Sequence, residues 1–246
     1  QIAAAVSARQ LMLMEIGVVY GSRVAIFSGR GAEYWLDMLA VWASGAVTVP
    51  VDPSATSDEL EQIISKARPS VFVGNVDIDT LGVASIASLE GKTTKAEPSF
   101  YKIKQNDTAS ILFTSGSSGK RKGVELSAYS VLHNSFGILD ILLPVGGGRL
   151  MIATPFHFTS SINHFLAAML SGMSFIAFED KLMPADLFNN LIDSRADCFG
   201  GAPIQIRWIS DMAEGKDPKL RWVMSSGDPM DAEVLSRLHA RMPETS

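Results

Sequence analysis

Ala109-Ser110-Ile111-Leu112-Phe113-Thr114-Ser115-Gly116-Ser117-Ser118-Gly119-Lys120-Arg121-Lys122-Gly123-Val124 is the stretch that decides the fold. The run from Ala109 to Phe113 is largely apolar and predicts a buried strand. It ends abruptly in a loop with hydroxyls at 114, 115, 117 and 118, glycines at 116, 119 and 123, and lysines at 120 and 122. Glycines permit tight turning and let backbone amides approach an anion. Hydroxyls and amides fix oxygens while lysine neutralises charge, a combination that suits a polyphosphate. A flexible Gly/Ser linker has similar composition. Such linkers seldom interrupt a core so tightly, and this loop sits between a buried strand and Val124 to Leu126.

Spacing excludes two other phosphate motifs. A nucleotide-kinase loop requires Gly, four residues, then Gly-Lys-Ser/Thr. Thr114 stands at that first Gly and Arg121 at the final hydroxyl. Gly29-Arg30-Gly31 follows a strand, but Tyr34 occupies the third Gly of a dinucleotide fingerprint, so an ordinary turn is expected. The absence of a Gly-x-Ser-x-Gly elbow argues against a serine hydrolase.

Outward from the loop, strands and helices alternate. Upstream, Val24 to Phe27 predicts a strand, Glu33 to Ser44 a helix closed by Gly45, and Val47 to Pro50 a strand. Thr56-Ser57-Asp58-Glu59 is a capping box opening a helix to Ala67, and Ser70 to Val73 another strand. Thr80 to Asp107 reads as a loosely structured connection with one short strand. Downstream, Ser127 caps a helix to Leu143, Gly146 to Gly148 is a turn, and Leu150 to Ala153 a strand. Helices are expected over 161–170, 184–194, 203–213 and 231–241, and strands over 174–178, 198–199 and 221–224. Near-continuously apolar strands separated by helices imply an α/β fold with parallel or mostly parallel sheets flanked by helices. Ligands then sit beyond the carboxyl ends of the strands.

Composition supports a globular chain: 47% of the 246 residues are hydrophobic and 19% charged, enough for a sizeable core. A net charge of −5 gives no general attraction to nucleic acid or anionic membrane. The lone Cys198 cannot form an internal disulfide and reads as an inert core thiol, which fits a cytoplasmic location. Glu15 and Asp140 interrupt the longest apolar runs, which fall short of the roughly 18 residues of a membrane helix. The N-terminus lacks a signal-peptide pattern. The chain starts at Gln1 and not Met, so it is expected to be a piece of something longer. Met12, Met14 and the other methionines read as core filler.

Phe113 to Val124 resembles the phosphate loop of the adenylate-forming superfamily, whose members include acyl-CoA synthetases, aryl-CoA ligases, luciferases and peptide-synthetase adenylation domains. That family usually has proline in place of Arg121 and often threonine in place of Ser118. Gly45-Ala46-Val47-Thr48-Val49-Pro50-Val51-Asp52-Pro53 is similar to an early structural segment of the family. Ser225-Ser226-Gly227-Asp228-Pro229-Met230 is similar to its later Ser-Gly-Gly-Ala-Pro-Leu turn near the adenine, with Asp228 replacing Ala. The three matches occur in family order and cover about Val24 to Met242.

The resemblance implies that a carboxylic acid attacks the α-phosphate of Mg-ATP, giving an acyl-adenylate and pyrophosphate. A thiol of coenzyme A or a carrier protein then takes the acyl group. It assigns Thr114, Ser115, Gly116, Ser117, Ser118, Gly119, Lys120, Lys122 and Gly123 to the phosphates, and Gly227 and Asp228 to the nucleotide. Thr114 would also hold Mg2+ together with an acidic ligand absent from this chain. Lys120 has an equal alternative as a solvated charge. Thr114, Lys122 and His157 are the implied catalytic residues, and Phe156, His157, Phe158 and Thr159 the implied acid-binding segment. Aligned with acyl-CoA ligases, His157 gates the acyl pocket; aligned with peptide-synthetase domains, Phe158-Thr159 replaces Phe-Asp. That aspartate pairs with a substrate α-amino group, so Thr159 implies a plain carboxylic acid. His164, set among apolar residues, reads as structural.

On this resemblance, residues 1–246 form an incomplete N-terminal domain lacking the C-terminal lid domain. The family's acidic metal ligand, ribose-binding aspartate and catalytic lysine all lie further on. The chain alone is therefore expected to be inactive and to need the missing C-terminal portion as its partner. Two alternatives stand beside this reading: a non-catalytic nucleotide- or acyl-binding module, and an unrelated phosphate-binding α/β protein such as a small kinase.

Overall fold

The computed structural model describes residues 1–27, 31–74, 84–86, 89, 100–114, 120–142, 147–177, 183–214 and 218–245. Expectations for Gly29-Arg30, Ser115 to Gly119, Leu143, Gly146 and Phe178 lie outside them. The chain divides into two compact units, Gln1–Val131 and Leu132–Ser246.

The first unit contains α1 (Ile2–Glu15), β1 (Arg23–Ile26), α2 (Ala32–Ala43), β2 (Val47–Pro50), α3 (Ser57–Ala67), β3 (Val71–Val73), β4 (Ala84–Ile86), β5 (Thr108–Thr114) and β6 (Lys122–Ser127). Its sheet runs in the order β4-β3-β1-β2-β5-β6. The first four ladders are parallel, and β6 closes the edge antiparallel to β5. Thus β6 is a strand over residues to which the sequence pattern assigns no element. Its first four residues are exposed, so no buried apolar run marks it.

Alternation sends the two sheet faces to different partners. Ala25, Val47, Val49, Phe72 and Ile111 pack with Leu60, Ile63 and Ala67 of α3. The helix α2 lies against β1 and β2, and α1 packs on α2. The sequence pattern also misses α1, because apolar residues surround it without helical periodicity while Arg9 and Gln10 are buried among them. Arg9 Nε donates to Asp37 Oδ1 at 3.0 Å, and its guanidinium also pairs with Glu33. Such a buried pair resists loss of one partner, because the other charge is left desolvated. Met12 is core as expected, but Met14 is 45% exposed, at the solvent end of the helix.

The capping box opens α3 as the sequence predicts, with Thr56 N–H donating to Glu59 Oε2 at 2.9 Å. Where α2 ends, Gly45 adopts φ +70 and turns the chain into β2. A Cβ there would sit 2.6 Å from Tyr101 Cγ. The central strand β5 is fixed by a buried polar set: Trp42 Nε1 and Thr48 Oγ1 donate to Ala109 O at 2.8 and 3.2 Å, and Thr48 Oγ1 lies 2.6 Å from Ser110 Oγ.

α4 (Ala128–Leu142) spans the boundary between the units, with Ser127 Oγ accepting from Ser130 N–H at 3.1 Å. The second unit continues with β7 (Arg149–Ile152), α5 (Thr159–Leu170), β8 (Ser174–Ile176), α6 (Pro184–Ser194), β9 (Cys198–Gly201), α7 (Pro203–Met212), β10 (Trp222–Ser225) and α8 (Ala232–Arg241). All ladders of its sheet, ordered β10-β9-β7-β8, are parallel. Met151, Ala153 and Phe199 face α6, α7 and α8, whereas Leu150, Ile152 and Cys198 face α5.

Gly45→Ala should lower the unfolding free energy by about 2–3 kcal/mol, combining a left-handed alanine with displacement of Tyr101. Urea denaturation measures this, and an unchanged midpoint would contradict the packing described.

Candidate functional site

In the first unit the site is the connection between β5 and β6. The last rungs of that ladder pair Phe113 with Gly123 and Thr114 with Lys122. Thr114 therefore stands opposite Lys122 where the hairpin opens, at the carboxyl end of a central strand. Both are exposed, as are Lys120 and Gly123. A Cβ on Gly123 would come within 3.2 Å of Phe113 Cζ, so glycine lets the return strand lie close to that ring. Ser115, Gly116, Ser117, Ser118 and Gly119 are outside the described residues.

Arg121, unlike its neighbours, turns inward. Its guanidinium pairs with Glu59, its N–H donates to Gln62 Oε1 at 2.9 Å, and its carbonyl accepts from Lys66 Nζ. The Arg121 guanidinium is the main reason the Glu59 carboxyl lies below the usual range; the Thr56 N–H bond adds to it. Sequence reasoning noted Arg121 as a departure from proline and from the kinase-loop hydroxyl, without a partner for it. Glu59, Gln62 and Lys66 lie half a chain-length of the unit away, with no local signal linking them.

In the second unit, residues 156–159 follow β7 and the Gly227 turn follows β10, so both lie at the carboxyl end of the sheet. Phe156 is 5% exposed and part of the packed interior, which leaves it little surface for a ligand. His157 and Phe158 present adjacent rings 4.7 Å apart, and Phe158 is half exposed at the N-cap of α5. Thr159 is the first residue of α5 and partly exposed. Gly227 has φ +103, and Asp228 is exposed.

A buried polar set anchors the start of this segment. Thr154 Oγ1 lies 2.5 Å from Ser161 Oγ, which also donates to Thr154 O at 3.0 Å. Gln205 Nε2 donates to Ala153 O at 2.9 Å while its Oε1 accepts the Ala202 N–H at 2.8 Å. No local pattern marks Gln205, since it lies in a different element from the Ala153 carbonyl it supports. His164 is buried as expected, with Nδ1–H donating to Ser160 O at 2.5 Å. Burial lowers its pKa, outweighing that bond. Cys198 is fully buried, and burial pushes its thiol up to about 12, as expected of an inert core thiol.

Among the described residues, no three His, Cys, Asp or Glu are grouped to hold a metal, and no helix is long and apolar enough to cross a membrane.

Sheets of parallel or mostly parallel strands covered by helices define an α/β protein. The chain belongs to the AMP-binding enzyme family, whose model matches residues 3–246. It is 35% identical over 162 residues to the nonribosomal peptide synthetase ivoA of Emericella nidulans, covering 61% of this chain and 9% of that protein. It is 26% identical over 238 residues to the D-alanine–D-alanyl carrier protein ligase of Streptococcus equi subsp. equi, covering 91% and 46%. ATP-bound MatB from Rhodopseudomonas palustris shares its fold with a TM-score of 0.85 at 22% identity, covering 98% of this chain and 52% of MatB. The chain thus spans about half, or much less, of the proteins it matches.

The His164 shift has a definite sign. Its folded pKa lies below the ordinary value, so its stabilising contribution is complete above about pH 6.5 and declines as pH falls below it. His164→Gln should flatten the loss of stability between pH 7 and 5 by up to about 1.4 kcal/mol per pH unit. Denaturant titrations at several pH values test this; parallel profiles would contradict it.

Proposed function

We propose that this chain carries the nucleotide-gripping part of an enzyme that activates a carboxylic acid by adenylation. The observation behind this reading is the open end of the β5–β6 hairpin, where Thr114 faces Lys122 across a Ser/Gly-rich connection. Backbone amides, hydroxyls and lysine there suit the β- and γ-phosphates of ATP. The metal would arrive with the nucleotide as Mg-ATP, its coordination shell filled mainly by phosphate oxygens and water, with Thr114 adding a hydroxyl.

In the proposed reaction a carboxylate oxygen attacks the α-phosphorus, forming the acyl–phosphate bond as the bond to the bridging oxygen breaks. Pyrophosphate leaves with that electron pair. Lys122 and the loop donors offset charge building on the leaving group, while a carboxylate approaches an already anionic nucleotide. The adjacent rings of partly exposed His157 and half-exposed Phe158 would border the acid. Thr159 favours an acid without an α-amino group, because a neutral hydroxyl gives an ammonium no counter-charge. Coenzyme A is the proposed thiol acceptor.

Calorimetric titration of the chain with Mg-ATP should detect binding, and Lys122→Ala should weaken it about tenfold through loss of a charge-assisted contact. No binding by the unaltered chain would refute the reading. In pyrophosphate exchange by the whole protein, simple carboxylic acids should support turnover and α-amino acids should not. Thr159→Asp should shift that preference toward α-amino acids; exchange driven by α-amino acids in the unaltered protein would exclude the substrate class proposed.

A further inference from the structure

The loop's return arm enters β6 at Lys122, and among the described residues β6 is an edge strand paired with β5 alone. Most of it is exposed, with Val124 at 45%, so burial contributes little to holding it. An edge strand carrying half of a binding site needs a second anchor. One residue before it, Arg121 meets three side chains from one face of α3.

Those side chains are Glu59, Gln62 and Lys66, spaced three and four residues apart and therefore aligned along the helix. Between them they take all three handles of Arg121: guanidinium, N–H and carbonyl. Glu59 divides its carboxylate, one oxygen closing the capping box on Thr56 and the other meeting Arg121. The Arg121 side chain is only 20% exposed, so loss of Glu59 would strand a largely desolvated cation. A proline here would restrict φ by its ring but has no N–H for Gln62.

We propose that Arg121 is a positioning residue: its three-point tether to α3 fixes the return arm of the loop and holds Lys122 in register with Thr114. This deepens the proposed phosphate-binding role and rests on it. The role is one of positioning and not of ligand contact, because the Arg121 N–H, carbonyl and Nη2 are all engaged by α3.

The test compares the unaltered chain with Arg121→Ala, Glu59→Gln, Arg121→Pro and the Arg121→Pro/Glu59→Gln double variant. Glutamine at 59 keeps the N-cap bond while removing the counter-charge. Calorimetry with Mg-ATP and with AMP, and amide hydrogen exchange over residues 120–124, are the readouts. Arg121→Ala and Glu59→Gln should weaken Mg-ATP binding about five- to tenfold, leave AMP binding unchanged and speed exchange at 120–124. Arg121→Pro should retain most of the Mg-ATP affinity, and adding Glu59→Gln to it should change nothing further. General destabilisation would instead weaken both nucleotides alike, and that result overturns the positioning role. So does Mg-ATP binding that Arg121→Ala leaves intact. Failure of the unaltered chain to bind Mg-ATP overturns the reading of the loop itself, and is distinguishable because no variant is needed to see it.

Discussion

Thr114 and Lys122 face each other across the last rung of the β5–β6 ladder, and the candidate phosphate site depends on that rung. A loop that grips an anion through amides and hydroxyls works only if its ends are held at a fixed separation. The sheet holds the first end. Ala109 O is taken by Trp42 and Thr48, Ser110 is bonded to Thr48, and Ile111 is packed against the α3 face. Antiparallel pairing then transmits that fixity one strand outward, to a segment that buries little of its own surface.

The second unit meets the same problem differently. Its candidate residues follow parallel strands and are steadied by buried polar side chains. Gln205 joins the end of β7 to the start of α7, and the Thr154–Ser161 pair closes the turn that leads to His157 and Phe158. Buried groups of this kind are costly unless fully paired, and when paired they restrict the backbone to few alternatives. Buried polar pairing thus stands behind the candidate residues in each unit, at Thr48 and Ser110 in the first and at Thr154 and Ser161 in the second.

Much of this was legible because it is local. The capping box at Thr56, Gly45 at the end of α2, Pro184 in the first turn of α6 and the apolar run of β5 each announce themselves within a few residues. What escaped depends on distant partners. α1 shows no periodicity because its polar Arg9 and Gln10 are buried, which distant partners such as Asp37, Glu33 and the backbone at Ala43 explain. β6 looks like loop because an edge strand with exposed residues has no apolar signature. Phe156 looked like part of a binding segment by position, yet its ring is interior and Phe158 is the exposed one. Phe156 and Phe158 are two residues apart, a spacing that strand alternation would put on one side; the turn at 156–157 is what separates their rings.

The same alternation accounts for three consecutive cations at 120–122. In extended chain, neighbours point to opposite sides. Lys120 and Lys122 are exposed, while Arg121 is directed at α3. Three free cations side by side would repel one another and splay the arm that carries them. Glu59 neutralises the middle one at the helix, leaving two lysines displayed toward solvent. The residue that departs from the family pattern therefore stiffens the loop without adding its charge to the face offered to the ligand. Arginine suits that position better than lysine, because its planar guanidinium holds a directed contact with a carboxylate while the backbone on either side remains free to bond.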